Sequence, residues 1–320
     1  MFFSYLLLII KFILIIITML IGVAYYTLCD RKIMAAMQRR SGPNVVGLWG
    51  LLQPLADGLK LFVKEFIVPN QSNKILFFLA PCISFTLSLI NWIVIPSNFE
   101  TVLVDLNLSL LFMFAMSSIG VYGIILAGWS SNSKFAFLGS LRSVSQVISY
   151  EIALSLLVLP ILYVSTSVNL SDIILFQQIN GWNWLPMLPL FLMFTISGLA
   201  ETNRVPFDLP EAEAELVAGY NIEYSGMGFT LFFLAEYSNM LLMNSLIIIL
   251  FLGGWDGFIL PSSLWYGIKM ALLAFFFVWV RGTLPRYRYD QLMKLGWKVF
   301  LPLALGFLSF YTYFYLFIIF

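Results

Sequence analysis

The side chains best placed to do chemistry in this sequence are carboxylates. Of sixteen acidic residues, five lie within residues 204–224, "RVPFDLPEAEAELVAGYNIEY": Asp208, Glu211, Glu213, Glu215 and Glu223. Three more, Glu151, Glu201 and Glu236, fall inside or at the end of apolar runs, and Asn239 follows Glu236 one helical turn on. A charge at bilayer depth costs at least ~2.5–3.5 kcal/mol on insertion scales, so such residues usually face a bundle interior or a water-filled path. The structural reading is a neutral, hydrogen-bonded group. The functional reading is a proton carrier, because a carboxyl out of bulk water changes protonation under the control of its neighbours. In the loop, Asp208 and Glu211 fit a capping box with Pro210 in the first turn. Acids at a helix start also complement the dipole, by about 0.3–1 kcal/mol each. This accounts for two or three of the acids and leaves Glu213, Glu215 and Glu223 over. Glu211 and Glu215 are one turn apart and repel by about 0.2–0.5 kcal/mol. Carboxylates this close titrate as a group and share protons. The loop therefore reads as a proton-collecting surface that continues inward through Glu201, Glu151 and Glu236.

The elements that must position these acids follow from composition. The chain is 61% hydrophobic and 10% charged, against ~45–50% apolar and ~25% charged in soluble domains. An all-α polytopic membrane protein is expected, as one membrane domain over residues 1–320. Apolar runs of about 17–25 residues can cross the hydrocarbon as helices. Eight candidates lie near residues 5–28, 75–95, 108–128, 143–164, 185–200, 229–252, 264–280 and 300–319, the fifth and seventh being short. The apolar run around Lys11 has no small-residue cleavage site after it and reads as a retained span. Fifteen of the seventeen basic residues fall in the loops after spans one, three, five and seven. The remaining loops carry Glu100, Asp105, Asp172 and Asp256. The basic side is therefore expected in the cytoplasm or matrix, with both termini opposite. Lys11 and Lys269 lie near the other ends of their spans, where they are expected to snorkel.

The sequence also excludes chemistry. It has no histidine, so a haem held by paired histidines is ruled out. Cys29 and Cys82 cannot supply four thiolates to an iron–sulfur cluster. No glycine-rich nucleotide loop is present. Electrons of any redox reaction must sit outside this chain.

The first basic-side loop places Arg31, Lys32, Arg39 and Arg40 ahead of an "SGPN" turn. Leu51, Leu52, Leu55, Leu59, Phe62, Val63 and Phe66 then recur at helical spacing, with Gln53, Asp57, Lys60 and Lys64 opposite and Pro54 in the first turn. Too short and too charged to span, this helix is expected to lie in the interface. It would serve as an anchor or as one wall of an opening for an amphipathic ligand. The third loop, "GWSSNSKFAFLGSLRSVSQVISYE", reads alone as a solvated turn. The seventh groups Arg281, Arg286 and Arg288 with Tyr287 and Tyr289. Topology alone explains those bases; a cationic, aromatic mouth is the alternative.

Four stretches, "DRKIMAAMQRRSGPNVVGLWGLLQPLADGLKLFVKE", "GWSSNSKFAFLGSLRSVSQVISYE", "AETNRVPFDLPEAEAELVAGYNIEY" and "PRYRYDQLMKLGWK", resemble the subunit 1 family of respiratory complex I, the proton-pumping NADH:ubiquinone oxidoreductase. The likeness covers nearly the whole chain. Asp30 departs from it, standing where that family usually has Glu. The resemblance implies a membrane subunit that joins the two arms of the complex and forms the membrane part of the quinone tunnel. By position it assigns Arg31, Gln38, Arg40, Ala56, Asp57, Arg281 and Arg286 to the quinone path. It assigns Glu151, Glu201, Glu211, Glu213, Glu215 and Glu236 to an acidic proton channel. It further implies ubiquinone as substrate and other complex I subunits as partners, which would hold the flavin and iron–sulfur clusters. Membrane lipids would surround the chain, in the mitochondrial inner membrane or a bacterial plasma membrane. A proton-coupled secondary transporter remains a different reading, though the internal repeats and matched helix breaks common in that class are missing. A pure scaffold would explain the loops but not the acids within the spans. Autonomous transport by the reconstituted chain would favour the transporter.

Overall fold

A chain immersed in hydrocarbon must satisfy its backbone N–H and C=O groups internally, and an α-helix does so within one segment. The computed structural model describes residues 2–98, 102–208, 219–257 and 260–319, with side chains between residues 9 and 315. Helices follow in the order α1 Phe2–Met37, α2 Gln53–Val63, α3 Lys74–Ile90, α4 Ser109–Ser130, α5 Lys134–Ser165, α6 Leu170–Asn180, α7 Leu188–Glu201, α8 Gly226–Phe251, α9 Ser262–Thr283, α10 Tyr289–Lys294 and α11 Leu301–Ile319. A π turn, Leu295–Phe300, joins the last two. No strand occurs among the described residues. Among the described residues, seven segments are long and apolar enough to cross a membrane: α1, α3, α4, α5, α8, α9 and the continuous α10–α11.

The expected fifth span is different. Helix α7 has 14 residues, about 21 Å at 1.5 Å per residue, against ~30 Å of hydrocarbon. It packs against α5 and α8 and buries Leu190, Phe194, Leu199 and Ala200. Its last residue, Glu201, opens onto an internal cavity.

Two helices run well past their apolar cores. Helix α1 has 36 residues, about 54 Å, and carries Asp30, Arg31 and Lys32 beyond the apolar stretch. Helix α5 has 32 residues and begins within the sequence expected to be a solvated turn. The correction has a local cause. Ser133 caps the helix, its Oγ accepting from the Ala136 N–H at 3.3 Å. The serines that follow bond back to carbonyls of their own helix: Ser140 to Phe137, Ser145 to Arg142 and Ser149 to Ser145. A polar run whose hydroxyls are satisfied this way continues a helix.

Helix α2 has the expected amphipathic form, with Pro54 in its first turn. Leu55, Leu59 and Phe62 are 60%, 68% and 69% exposed, the outward apolar stripe of an interfacial helix.

Lys269 corrects another expectation. It does not snorkel: it is buried, and its Nζ donates to the carbonyls of Leu252, Gly254 and Asp256 at 2.6, 3.0 and 2.7 Å. All three ammonium donors are thereby used, and the ammonium also lies 4.4 Å from the Trp182 ring centroid. Gln177 of α6 donates to the carbonyls of Ile249 and Leu250 at 2.7 and 3.2 Å. The carbonyls at the end of α8, which lack helical partners, are closed by side chains from α6 and α9. Lys11 is exposed on α1. At the same end of α8, Ile247 to Phe251 are fully buried in one core cluster with Leu154, Leu157 and Phe194.

Candidate functional site: a polar cavity and a basic cluster

Helices α3, α4, α7 and α8 line a partly open cavity of about 90 Å³ with many polar side chains in its walls. Ser84, Ser88, Asn91, Ser117, Asn203, Tyr220 and Asn239 are among its walls, together with Glu201 and Glu236. Such a volume holds several waters, and the polar groups around it supply the partners they need. The Tyr220 hydroxyl donates to Glu236 Oε1 at 2.5 Å. Tyr220 reaches this position because its turn, Gly219–Asn221, rides directly on α5. A Cβ on Gly139 would come within 2.8 Å of the Gly219 backbone, so only glycine permits that approach.

Glu151 lies on α5, just outside the cavity. Its Oε1 accepts hydrogen bonds from Ser117, at 3.3 Å, and from Ser118. Ser117 is itself a cavity wall. Glu201 and Glu236, on α7 and α8, thus face one cavity, and Glu151 of α5 meets its wall at Ser117. A hydroxyl both donates and accepts, so Ser117 can pass a proton between Glu151 and water in the cavity. Glu201 Oε2 is buried without a hydrogen-bond partner among the described residues.

A second cluster sits where α1, α8 and α9 meet the segment after α7. Arg281 of α9 is ion-paired with Asp30 of α1, and the Tyr237 hydroxyl donates to the same Asp30 Oδ2 at 3.0 Å. The Arg204 guanidinium lies 4.4 Å from the Tyr237 ring centroid, a cation–π contact. Tyr26 packs edge-on to Tyr237 at 5.6 Å. The shorter side chain of Asp30 still reaches both partners, with Oδ1 left without one among the described residues. Tyr237 adjoins Glu236 in sequence, so α8 presents the cavity and the basic cluster on neighbouring faces. Arg204, three residues after Glu201, connects the two in the same way. The sequence singles out Asp30 and Arg281 but not Tyr26, Tyr237 or an aromatic role for Arg204. The tyrosine beside Glu236 is the signal available for them.

The remaining quinone-path candidates fall on the same side of the fold. Arg31 pairs with Asp57 at 2.6 Å, joining α1 to α2 next to Ala56, and Gln53 donates to Asp57 Oδ1 at 3.1 Å. Lys32 donates to the Trp49 carbonyl. Arg40 donates to Gln38 Oε1 at 2.8 Å in the turn after α1. Arg286 pairs with Asp208 at 3.3 Å, and Tyr287 N–H donates to the Pro206 carbonyl at 2.9 Å. Asp208, read as a member of the acidic loop, is therefore held by a residue of the quinone-path set. Gln146 of α5 fixes the same segment by donating to the carbonyls of Ala200 and Phe207, both at 2.7 Å. Glu223 is half-buried. Glu211, Glu213 and Glu215 lie outside the described residues. Nearby, Tyr224 stacks on Phe77 at 4.1 Å and donates to its carbonyl at 3.2 Å. Burial pushes the Tyr224 hydroxyl up to about 12 despite the opposing hydrogen bond to Ser130.

Fold and site together define a multi-pass helical membrane protein with protonatable groups gathered around an internal cavity and a cationic, aromatic cluster beside them. The sequence model described as NADH dehydrogenase matches residues 10–312. A "NADH-ubiquinone oxidoreductase chain 1" from Chondrus crispus is 57% identical over 306 residues, 93% of this chain and 94% of that protein. The protein of the same name from Arabidopsis thaliana is 56% identical over 299 residues, 91% of this chain and 92% of its own. A bacterial relative, an NADH-quinone oxidoreductase subunit from Paramagnetospirillum magneticum, is 55% identical over 306 residues, covering 94% of this chain and 89% of that protein. The chain belongs to the NADH dehydrogenase family.

Proposed function

We propose that this chain is a core membrane subunit of a proton-translocating NADH:quinone oxidoreductase, and that it contributes the membrane part of the quinone path and an acidic proton relay. The observation that carries the relay is the continuity from Glu151 through Ser117 to the cavity faced by Glu201 and Glu236. The quinone path draws support from the cluster of Asp30, Arg204, Tyr237 and Arg281, which lies beside that cavity on α8. A quinone headgroup would meet the cationic and phenolic groups near α1, α2 and α9, while its tail follows the apolar stripe of α2. Partner subunits of the complex would supply the electrons. Reduction to quinol consumes two protons and changes the local charge. The Arg281–Asp30 and Arg286–Asp208 pairs would pass that change to the segment after α7, and so to Glu201 and the relay. A proton-coupled transporter would also place acids on a cavity, but it gives no role to the aromatic–basic cluster next to it.

The quinone path is tested with a photoreactive quinone analogue on the assembled complex. Crosslinks are expected within residues 31–65 or 281–290. Labelling confined to other subunits would remove this chain from the cavity wall. The orientation goes with this reading, with the short α7 serving as the eighth crossing: the basic loops face the matrix of a mitochondrion or the cytoplasm of a bacterium, with both termini opposite. Single cysteines replacing Ser41 and Ser171, in a background without the exposed Cys29 and Cys82, should react with an impermeant thiol reagent from opposite faces. Reaction of both from one face would contradict the orientation.

A further inference from the structure

We propose that the π turn Leu295–Phe300, acting chiefly through Trp297, is the positioning element for Glu151: it fixes the rotation of α5 so that this carboxyl faces Ser117. The inference rests on the reading of Glu151 as a relay member and adds the part of the chain that aims it. A π turn inserts an extra residue into a helical turn, re-aims the side chains around it, and is concentrated at functional sites. Here it lies directly against the two residues that precede Glu151. Trp297 Nε1 donates to Ser149 Oγ at 3.0 Å, and that hydroxyl donates in turn to the Ser145 carbonyl at 2.6 Å. The Tyr150 hydroxyl donates to the Leu292 carbonyl at 3.1 Å. Phe300, the last residue of the π turn, meets the Tyr150 ring edge-on at 6.2 Å.

Further along the same stripe of α5, the Ser145 and Tyr289 hydroxyls are 3.0 Å apart and Arg142 lies 5.7 Å from the Tyr289 ring centroid. One face of α5, at residues 142, 145 and 149, is therefore bolted to the α10–α11 segment. Glu151 is two residues past Ser149, roughly 200° around the helix at 100° per residue. It points away from that segment, toward Ser117 and Ser118 of α4. Rotation of α5 at this level would trade one set of contacts for the other. Trp297 is not among the residues that line the cavity; it acts through Ser149.

The test uses the assembled complex and two variants, W297F, which keeps an aromatic ring, though a smaller one, and removes the donor, and S149A, which removes the acceptor. Quinone-linked NADH oxidation should fall roughly three- to tenfold in each, the weight of about one hydrogen bond. The discriminating readout is the infrared difference spectrum of quinone reduction, in which the carboxyl band abolished by E151Q should shift in both variants. A control at an outward-facing residue of α11, L303A, should leave that band in place. If E151Q abolishes a band that stays unmoved in W297F and S149A, the positioning role is overturned while the relay stands. If L303A moves the band as much, the effect is general loosening and the role is again overturned. If E151Q abolishes no band, the relay reading fails, and the positioning role fails with it.

Discussion

Glu151→Gln should abolish most quinone-linked NADH oxidation by the assembled complex, while electron transfer from NADH to an artificial acceptor continues. Gln keeps the size of the side chain and can still accept from Ser117 and Ser118, but it cannot bind or release a proton near neutral pH. The substitution therefore separates proton handling from packing. Glu213→Gln should have a smaller effect, because the neighbouring acids of that loop can substitute for one another. A Glu151→Gln complex that pumps normally at normal assembly would show that this carboxyl is a packing group.

The second large effect is expected on stability, at Arg281→Gln. Asp30 is buried, and Arg281 is its only charged partner among the salt bridges of the described residues. Removing one member of a buried pair leaves the other charge uncompensated, at about 3–5 kcal/mol. A third of the Arg281 side chain is exposed, which places the expected loss near the low end of that range, about 3 kcal/mol. The complex should assemble in lower yield and lose quinone reductase activity at a lower temperature. Neutralising the partner as well, in Asp30→Asn with Arg281→Gln, should recover most of that loss, because the unpaired carboxylate is then removed and Tyr237 keeps an acceptor. An Arg281→Gln complex as heat-resistant as the parent, or a double variant no better than the single one, would show that the pair does not hold α1 to α9.

Much of this architecture is legible in the sequence because hydrocarbon imposes it. Long apolar runs mark the spans, the spacing from Leu51 to Phe62 marks α2, and the acids at bilayer depth mark the cavity. Hydropathy reports which residues lie in lipid and says little about where a helix stops. The polar continuation of α1 to Met37 and the serine-capped start of α5 at Lys134 are therefore hidden from it. The shortness of α7 has the opposite cause: a helix enclosed by α5 and α8 need not match the bilayer. Lys269 escapes the sequence because a lysine near a span end usually reaches for water. Here the carbonyls just past the end of α8, seventeen residues away at Leu252, offer a better set of acceptors. The Asp30–Tyr237 bond joins residues 207 positions apart, a pairing that only tertiary packing decides. The π turn has no periodicity signal of its own.

The central claim, that the acids around the cavity change protonation when quinone is reduced, is tested most directly by that same infrared difference measurement on the assembled complex, comparing the parent with Glu151→Gln, Glu201→Gln and Glu236→Gln. The relay predicts carboxyl bands in the parent that are lost or altered in each variant, including Glu201→Gln, whose side chain lies on α7 and not on the helix of either other acid. Identical carboxyl regions in the parent and all three variants would contradict it.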